Sequence, residues 1–157
     1  MLSRTNAAGL LSLAVVAALA SSAPTMAGER GRVSVNCLAS DQLPPAGPGL
    51  IYTTCAGETQ FRFQSEGVPT NYGIKFTAPS THCSAVNYQV YATYNPNLLL
   101  GRTRDFLEPG QSEIVPIGND FARGLQVINV RGLGKVGGCN QGRMSGWSAD
   151  VEVVIIP

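Results

Sequence analysis

The residues in this chain that could do chemistry are few, and their spacing limits what that chemistry can be. His82 is the sole histidine, and it abuts Cys83. Hydrolysis by an activated serine or cysteine needs a base within hydrogen-bond reach, and His82 would have to be that base. Its neighbour is expected in a disulfide that anchors the local segment, so the plainer reading is a surface-loop histidine. A copper or other metal role would need further soft ligands, and Met144 alone supplies little. No metal and no cofactor is expected.

The arginines offer a different chemistry. Arg102 and Arg104 share one face of an extended segment, while Arg123, Arg131 and Arg143 fall in later strand ends and loops. If they converge, they could hold a carboxylate or a sulfated glycan through paired hydrogen bonds. If they stay apart, they are ordinary surface charges. Tyr91 faces outward on its strand and could stack on a sugar or meet a protein partner. Tyr91, Arg102 and Arg104 are therefore the candidate binding residues.

Two other patterns carry less. Gly132, Gly134 and Gly137 match G-x-G-x-x-G after an expected strand, a fingerprint in which glycines admit a pyrophosphate to a helix N-terminus. Here Gly138, Cys139, Asn140, Gln141 and Gly142 follow, and they form no helix. The expected structure is a glycine-rich loop over 132–146, pinned at Cys139. The ten acidic residues contain no pair singled out for glycoside chemistry. Asp150 and Glu152 share the outer face of a strand and read as solvated surface. No catalytic residue is assigned, and a non-enzymatic protein is expected.

These residues need a frame, and the final stretch shows its type. Over residues 147–156, Trp147, Ala149, Val151, Val153 and Ile155 alternate with Ser148, Asp150 and Glu152. Side chains of a strand point to opposite faces in turn, so this segment requires an apolar layer below and water above. One strand cannot be stable alone, which implies a sheet packed on a second sheet. Further strands are expected at 32–38, 50–55, 58–65, 71–77, 85–94, 112–117 and 125–131. Residues 98–107 are extended, with a bulge at Gly101. In the 85–94 strand, Val86, Tyr88, Val90 and Ala92 should face inward, with Asn87, Gln89, Tyr91 and Thr93 outward.

Turn chemistry separates these segments. Pro44, Pro45, Gly47, Pro48 and Gly49 force an irregular loop. Glu108-Pro109-Gly110-Gln111 has proline and glycine in the central positions of a type II turn. It is expected to join 98–107 to 112–117 as a hairpin. Pro116 cannot donate to a ladder and marks an edge strand. Residues 119–123 are expected to make one helical turn. No segment after Ala27 shows helical spacing over three turns. The fold class is an all-β, two-layer antiparallel β-sandwich of about eight strands.

Compartment follows from the N-terminus and the cysteines. Arg4, an apolar run over 7–20 and small residues to Ala27 have the order of a secretory signal, cleaved before Gly28. Removing residues 1–27 from the 157 leaves a single domain of 130, in which ten basic residues balance ten acidic ones. A neutral chain has no general field to draw nucleic acid or anionic membranes, so neither is an expected partner. No later stretch could span a membrane. Cys37, Cys55, Cys83 and Cys139 are an even set in an exported domain and read as two disulfides. Of the three pairings, the sequential one, Cys37 with Cys55 and Cys83 with Cys139, is preferred. The expected setting is periplasmic or extracellular, in a bacterium.

The functional reading is a binding module for a surface, glycan or protein partner. Two alternatives stand beside it. Only Lys75 and Lys135 are lysines, so the sheet edges lack a common guard against pairing, and a fibre or pilus subunit self-associating through those edges fits. A hydrolase inhibitor presenting the 132–146 loop fits as well.

Overall fold

A computed structural model describes residues 28–38 and 52–157. It contains eight strands: β1 (Arg30–Asn36), β2 (Tyr52–Ser65), β3 (Asn71–Thr77), β4 (Val86–Ala92), β5 (Leu99–Arg102), β6 (Ser112–Gly118), β7 (Gly124–Lys135) and β8 (Gly146–Ile156). They form two four-stranded sheets, ordered β1-β8-β3-β6 and β2-β7-β4-β5, with every pairing antiparallel. Only the β4–β5 connection stays within one sheet; every other connection between successive strands crosses the sandwich. That is the strand order of an eight-stranded jelly roll, which closes two layers on one core.

The alternation read from the sequence accounts for the layers. Val86, Tyr88, Val90 and Ala92 of β4 are buried, as are Trp147, Ala149, Val151 and Val153 of β8. Phe63, Ile74, Phe76, Val115, Ile128 and Val130 complete the same core. The Phe76 and Tyr88 rings stack at 5.1 Å, and Trp147 meets Tyr88 edge-on at 6.1 Å. The Tyr88 hydroxyl crosses between the layers and donates to the Ser148 carbonyl at 2.7 Å. Burial, with Asp150 nearby, holds its proton on well above the ordinary phenol range.

Both cysteine pairings are the sequential ones. Cys37–Cys55 ties the end of edge strand β1 to edge strand β2, closing the sandwich along one side. Cys83–Cys139 ties the β3–β4 connection to the β7–β8 connection. In the loop-entropy account each bridge restricts the unfolded chain by ~3–4 kcal/mol. Pro116 lies on edge strand β6 as expected, and the ladder between β4 and β5 slips beside Gly101, where Val90 opposes Gly101 and Tyr91 opposes Leu99.

Several expectations are corrected. The two strands at 50–55 and 58–65 are one, β2, with an irregularity between Thr54 and Glu58. The intervening Ala56 and Gly57 read as a break in sequence but are absorbed as a bulge. Leu50, Ile51, the loop expected over the proline-rich stretch and the leader expected over 1–27 lie outside the described residues. The type II turn at Glu108–Gln111 forms, with Gln111 N–H donating to the Glu108 carbonyl at 2.9 Å and Gly110 at φ +84°. It makes no hairpin, because β5 and β6 belong to different sheets. Residues 119–123 are not helical. They lie between Gly118 (φ +92°) and Gly124 (φ +116°), and Phe121 is drawn down onto Phe63 and Tyr72 at 5.3 and 5.8 Å. Residues 132–135 are not loop, since β7 runs on through them.

That last correction explains a glycine. A Cβ placed on Gly132 would sit 2.5 Å from the Trp147 ring, so the indole occupies the space a side chain would fill. The G-x-G-x-x-G match is therefore a packing feature of β7 at its first position. Gly132→Ala is expected to destabilise the fold by about 1–3 kcal/mol, the usual cost of overpacking a tight core. Chemical denaturation of the oxidised protein checks this, and a change in near-ultraviolet signal from Trp147 should accompany it.

Candidate functional site

Because inward residues of the second sheet fill the core, their neighbours form its outer face, and register puts specific polar groups in line. Glu58 opposes Arg131, Arg131 opposes Gln89, and Gln89 opposes Arg102, so one row crosses all four strands from β2 to β5. The adjacent row is Gln60, Asn129, Tyr91 and Leu99. Cross-strand neighbours on one face are close enough to interact directly.

The centre of this face is a network. Arg131 Nε donates to Glu58 Oε2 at 2.8 Å, and Asn129 Nδ2 donates to Glu58 Oε1 at 3.0 Å. The Arg131 guanidinium lies over the Tyr91 ring, 4.3 Å from its centre, a cation–π contact. The Tyr91 hydroxyl donates to Gln89 Oε1 at 3.0 Å. Arg131 also reaches the Pro96 carbonyl at 3.4 Å, which draws the β4–β5 hairpin toward the same face.

A second segment borders it. Asn87 Nδ2 donates to the Thr103 carbonyl at 2.6 Å, to Thr103 Oγ1 at 2.7 Å and to the Asp105 carbonyl at 3.3 Å. These bonds fold residues 103–106 against the sheet and bury Asn87, which the alternation alone places in water. Phe106 then meets Tyr52, which belongs to the opposite edge strand, at 6.0 Å.

Of the sequence candidates, the structure brings Tyr91 and Arg102 onto this one face. Arg104 is exposed beyond the end of β5, and its backbone N–H donates to Glu113. Arg131 joins the site, while Arg123 packs beside Gly67 and Arg143 lies against the Cys83–Cys139 connection. Glu58, Gln89 and Asn129 were missed. The signal for them was present in the alternation of β2 and β7, but only the pairing register shows that they share a row with Arg131. Among the described residues no three histidine, cysteine, aspartate or glutamate side chains are grouped to hold a metal. Asp105, Glu108 and Asp120 are exposed.

His82 is less of a loop histidine than its sequence implies. Its Nε2 lies 3.2 Å from Ser148 Oγ and accepts the Ser148 backbone N–H at 3.3 Å, while Arg32 Nη2 donates to Ser148 Oγ at 3.3 Å. Ser148 is covered by this contact, although its parity on β8 points it outward. A nucleophile–base pair requires a third group to orient the base and stabilise its charge. Nδ1 is buried with no hydrogen-bond partner among the described residues, and the nearest charge influencing the ring is Arg32. The arrangement disfavours the charged imidazole and clamps the β3–β4 connection to β8.

No protein-family model and no curated protein matches the chain. A solved structure described as "Structural basis for the promiscuous specificity of the carbohydrate-binding modules from the beta-sandwich super family" superposes with a TM-score of 0.36 at 11% identity. The superposition covers 85% of this chain and 58% of that one, so the chain spans little more than half the length of that protein.

The His82 clamp has a pH signature. Burial first, and Arg32 second, push its pKa below the ordinary 6.5. An unfolded chain then binds a proton before the folded one does, so stability is full above pH 6.5 and falls as pH drops below it. A series of melting temperatures from pH 8 down to pH 5 is expected to show this decline, with a shallower one in His82→Gln.

Proposed function

We propose that this protein is an exported, non-enzymatic binding module whose ligand is a glycan bearing carboxylate or sulfate groups, held on the outer face of the second sheet. The observation that carries the reading is the row Glu58, Arg131, Gln89 and Arg102 with Tyr91 beside it. Glu58 fixes Arg131, and Tyr91 lies beneath the guanidinium, so the cation is oriented before any ligand arrives. Preorganised side chains lose less entropy on binding than free ones. Arg102 and Arg131 stand two strand spacings apart, ~10 Å, a separation suited to two anionic groups along an extended chain.

Charge supports the anionic preference. Of the strand residues directed to this face, Arg62, Arg102, Arg131 and Lys135 stand against the one carboxylate of Glu58, by the β2–β7 and β4–β5 registers, while Asp105 and Glu108 lie in the bordering segments. Among the described residues only Arg131 of these four is in an ion pair. Gln60, Gln64 and Gln89 add amides that can both donate and accept hydrogen bonds with sugar hydroxyls. Two disulfides, and the leader pattern in residues 1–27, support an exported setting.

The test is a glycan array followed by calorimetry on the oxidised protein. A sulfated or uronate-containing polysaccharide is expected to bind, more weakly as salt rises. Arg102→Ala should weaken that binding by about tenfold, because it removes one charged hydrogen-bonding group that is otherwise free. Equal binding of neutral polysaccharides, or affinity unchanged in Arg102→Ala combined with Tyr91→Ala, would refute the reading.

A further inference from the structure

Of the glycine-rich stretch 132–146, β7 takes the residues up to Lys135 and β8 begins at Gly146, so the connection proper is 136–145. It lies apart from the glycan face, and its first half is tied down by Asn140. The Asn140 Nδ2 donates to the Lys135 carbonyl at 3.0 Å, and its Oδ1 accepts the Gly142 N–H at 3.2 Å. Its backbone N–H and carbonyl exchange bonds with Gly137 at 2.9 and 2.8 Å. Cys139 is bridged to Cys83. Gly142 then turns the chain at φ +95°, a conformation that suits glycine and strains other residues.

The second half is held as firmly. Met144 is 4% exposed and belongs to the core cluster. The Ser145 carbonyl accepts the Cys37 N–H at 3.0 Å, beside the Cys37–Cys55 bridge. Gly146 opens β8, which is paired with β1 on one side and β3 on the other.

Arg143 stands between these two holds. It is exposed, and its side chain is in no hydrogen bond or ion pair among the described residues. Arg143, Met144 and Ser145 alternate exposed, buried and exposed, the pattern of an extended chain. The backbone is thus ordered before a partner arrives, and the guanidinium is left for that partner to pair.

We propose that this segment is an inhibitory loop for serine endopeptidases whose specificity pocket is acidic. Arg143 enters the pocket and pairs with its carboxylate through parallel hydrogen bonds. The peptidase serine adds to the Arg143 carbonyl and gives its proton to the catalytic histidine. The histidine passes that proton to the Met144 nitrogen, which leaves as an amine. In an ordinary substrate the leaving strand departs and water completes hydrolysis. Here the buried Met144 side chain, the Ser145–Cys37 bond and both ladders of β8 keep the amine beside the acyl ester. At such effective concentration the amine attacks the ester, the serine regains its proton through the histidine, and the peptide bond closes again. The loop occupies the enzyme without being consumed.

The probe is trypsin, whose pocket carries an aspartate, titrated with the oxidised protein against a small chromogenic substrate. Saturable inhibition is expected at concentrations that leave chymotrypsin active, and mass spectrometry after long incubation should find the 143–144 bond mostly intact. Arg143→Ala should weaken inhibition about a hundredfold, the loss of a central buried anchor. Arg143→Phe should move inhibition from trypsin to chymotrypsin, whose pocket is apolar. Because the position is exposed, both variants should melt with the parent protein. Absence of inhibition, or inhibition that survives Arg143→Ala, would overturn the proposal. So would steady cleavage after Arg143 with recovery of trypsin activity, which would make the loop a plain substrate.

Discussion

Tyr88 joins the two layers. It rises from β4 in the second sheet, stacks on Phe76 of β3, meets Trp147 of β8, and donates its hydroxyl proton to the Ser148 carbonyl across the sandwich. A buried phenol without an acceptor would cost ~1–3 kcal/mol, so this bond fixes where β8 sits over β4. Gly132 belongs to the same arrangement, since the indole of Trp147 fills the space beside it. The sheet spacing at this point is thus set by one hydrogen bond, one stacked pair and one absent side chain.

The outer face inherits that order. With Tyr88 and Val90 directed into the core, Gln89 and Tyr91 are directed out of it by the pleat. The β4–β7 register then puts Arg131 beside Gln89 and Asn129 beside Tyr91. Glu58 comes into reach only because β2 absorbs a bulge between Thr54 and Glu58 and resumes pairing with β7 at Arg131. The network of Glu58, Arg131, Asn129 and Tyr91 is therefore a product of core register, and a shift of one residue in any of these strands would turn it into the interior.

Much of the frame was legible in the sequence because strand parity is a local property. Residues 71–77 were read with the bounds they have, and the inward and outward sets of β4 were read correctly apart from Asn87. Asn87 escaped because its burial depends on the segment that follows β5, which folds back over it. Ser148 escaped for a similar reason, since His82 covers it from another connection. Ile155 failed in the opposite sense: its parity is that of the core, but near the end of β8 it is 54% exposed. The hairpin expected at Glu108–Gln111 failed because a turn sequence specifies its own backbone and not which sheet receives the next strand. The candidate site was half legible. Parity directs Tyr91 and Arg102 to the outer face, whereas the meeting of Arg131, one of the arginines that could converge, with the unread Glu58 rests on a pairing between strands far apart in sequence.

The two outer faces differ in how their charges are arranged, and that difference bears on which of them can meet an anionic ligand. On the first sheet Arg30 opposes Glu152, which opposes Lys75 in turn, and Arg32 opposes Asp150. Each carboxylate there lies beside a cation, so the field at a distance largely cancels. Among the outward strand residues of the second sheet, Arg62, Arg102, Arg131 and Lys135 stand against one carboxylate, Glu58, with Asp105 and Glu108 in the segments that border the sheet. A chain with equal numbers of acidic and basic residues over 28–157 can therefore still present one positive surface. Net charge describes the sum over the molecule, whereas an approaching polyanion responds to the charge within about a Debye length of one face. The balance of charge over residues 28–157 leaves room for local attraction where strand register concentrates the arginines.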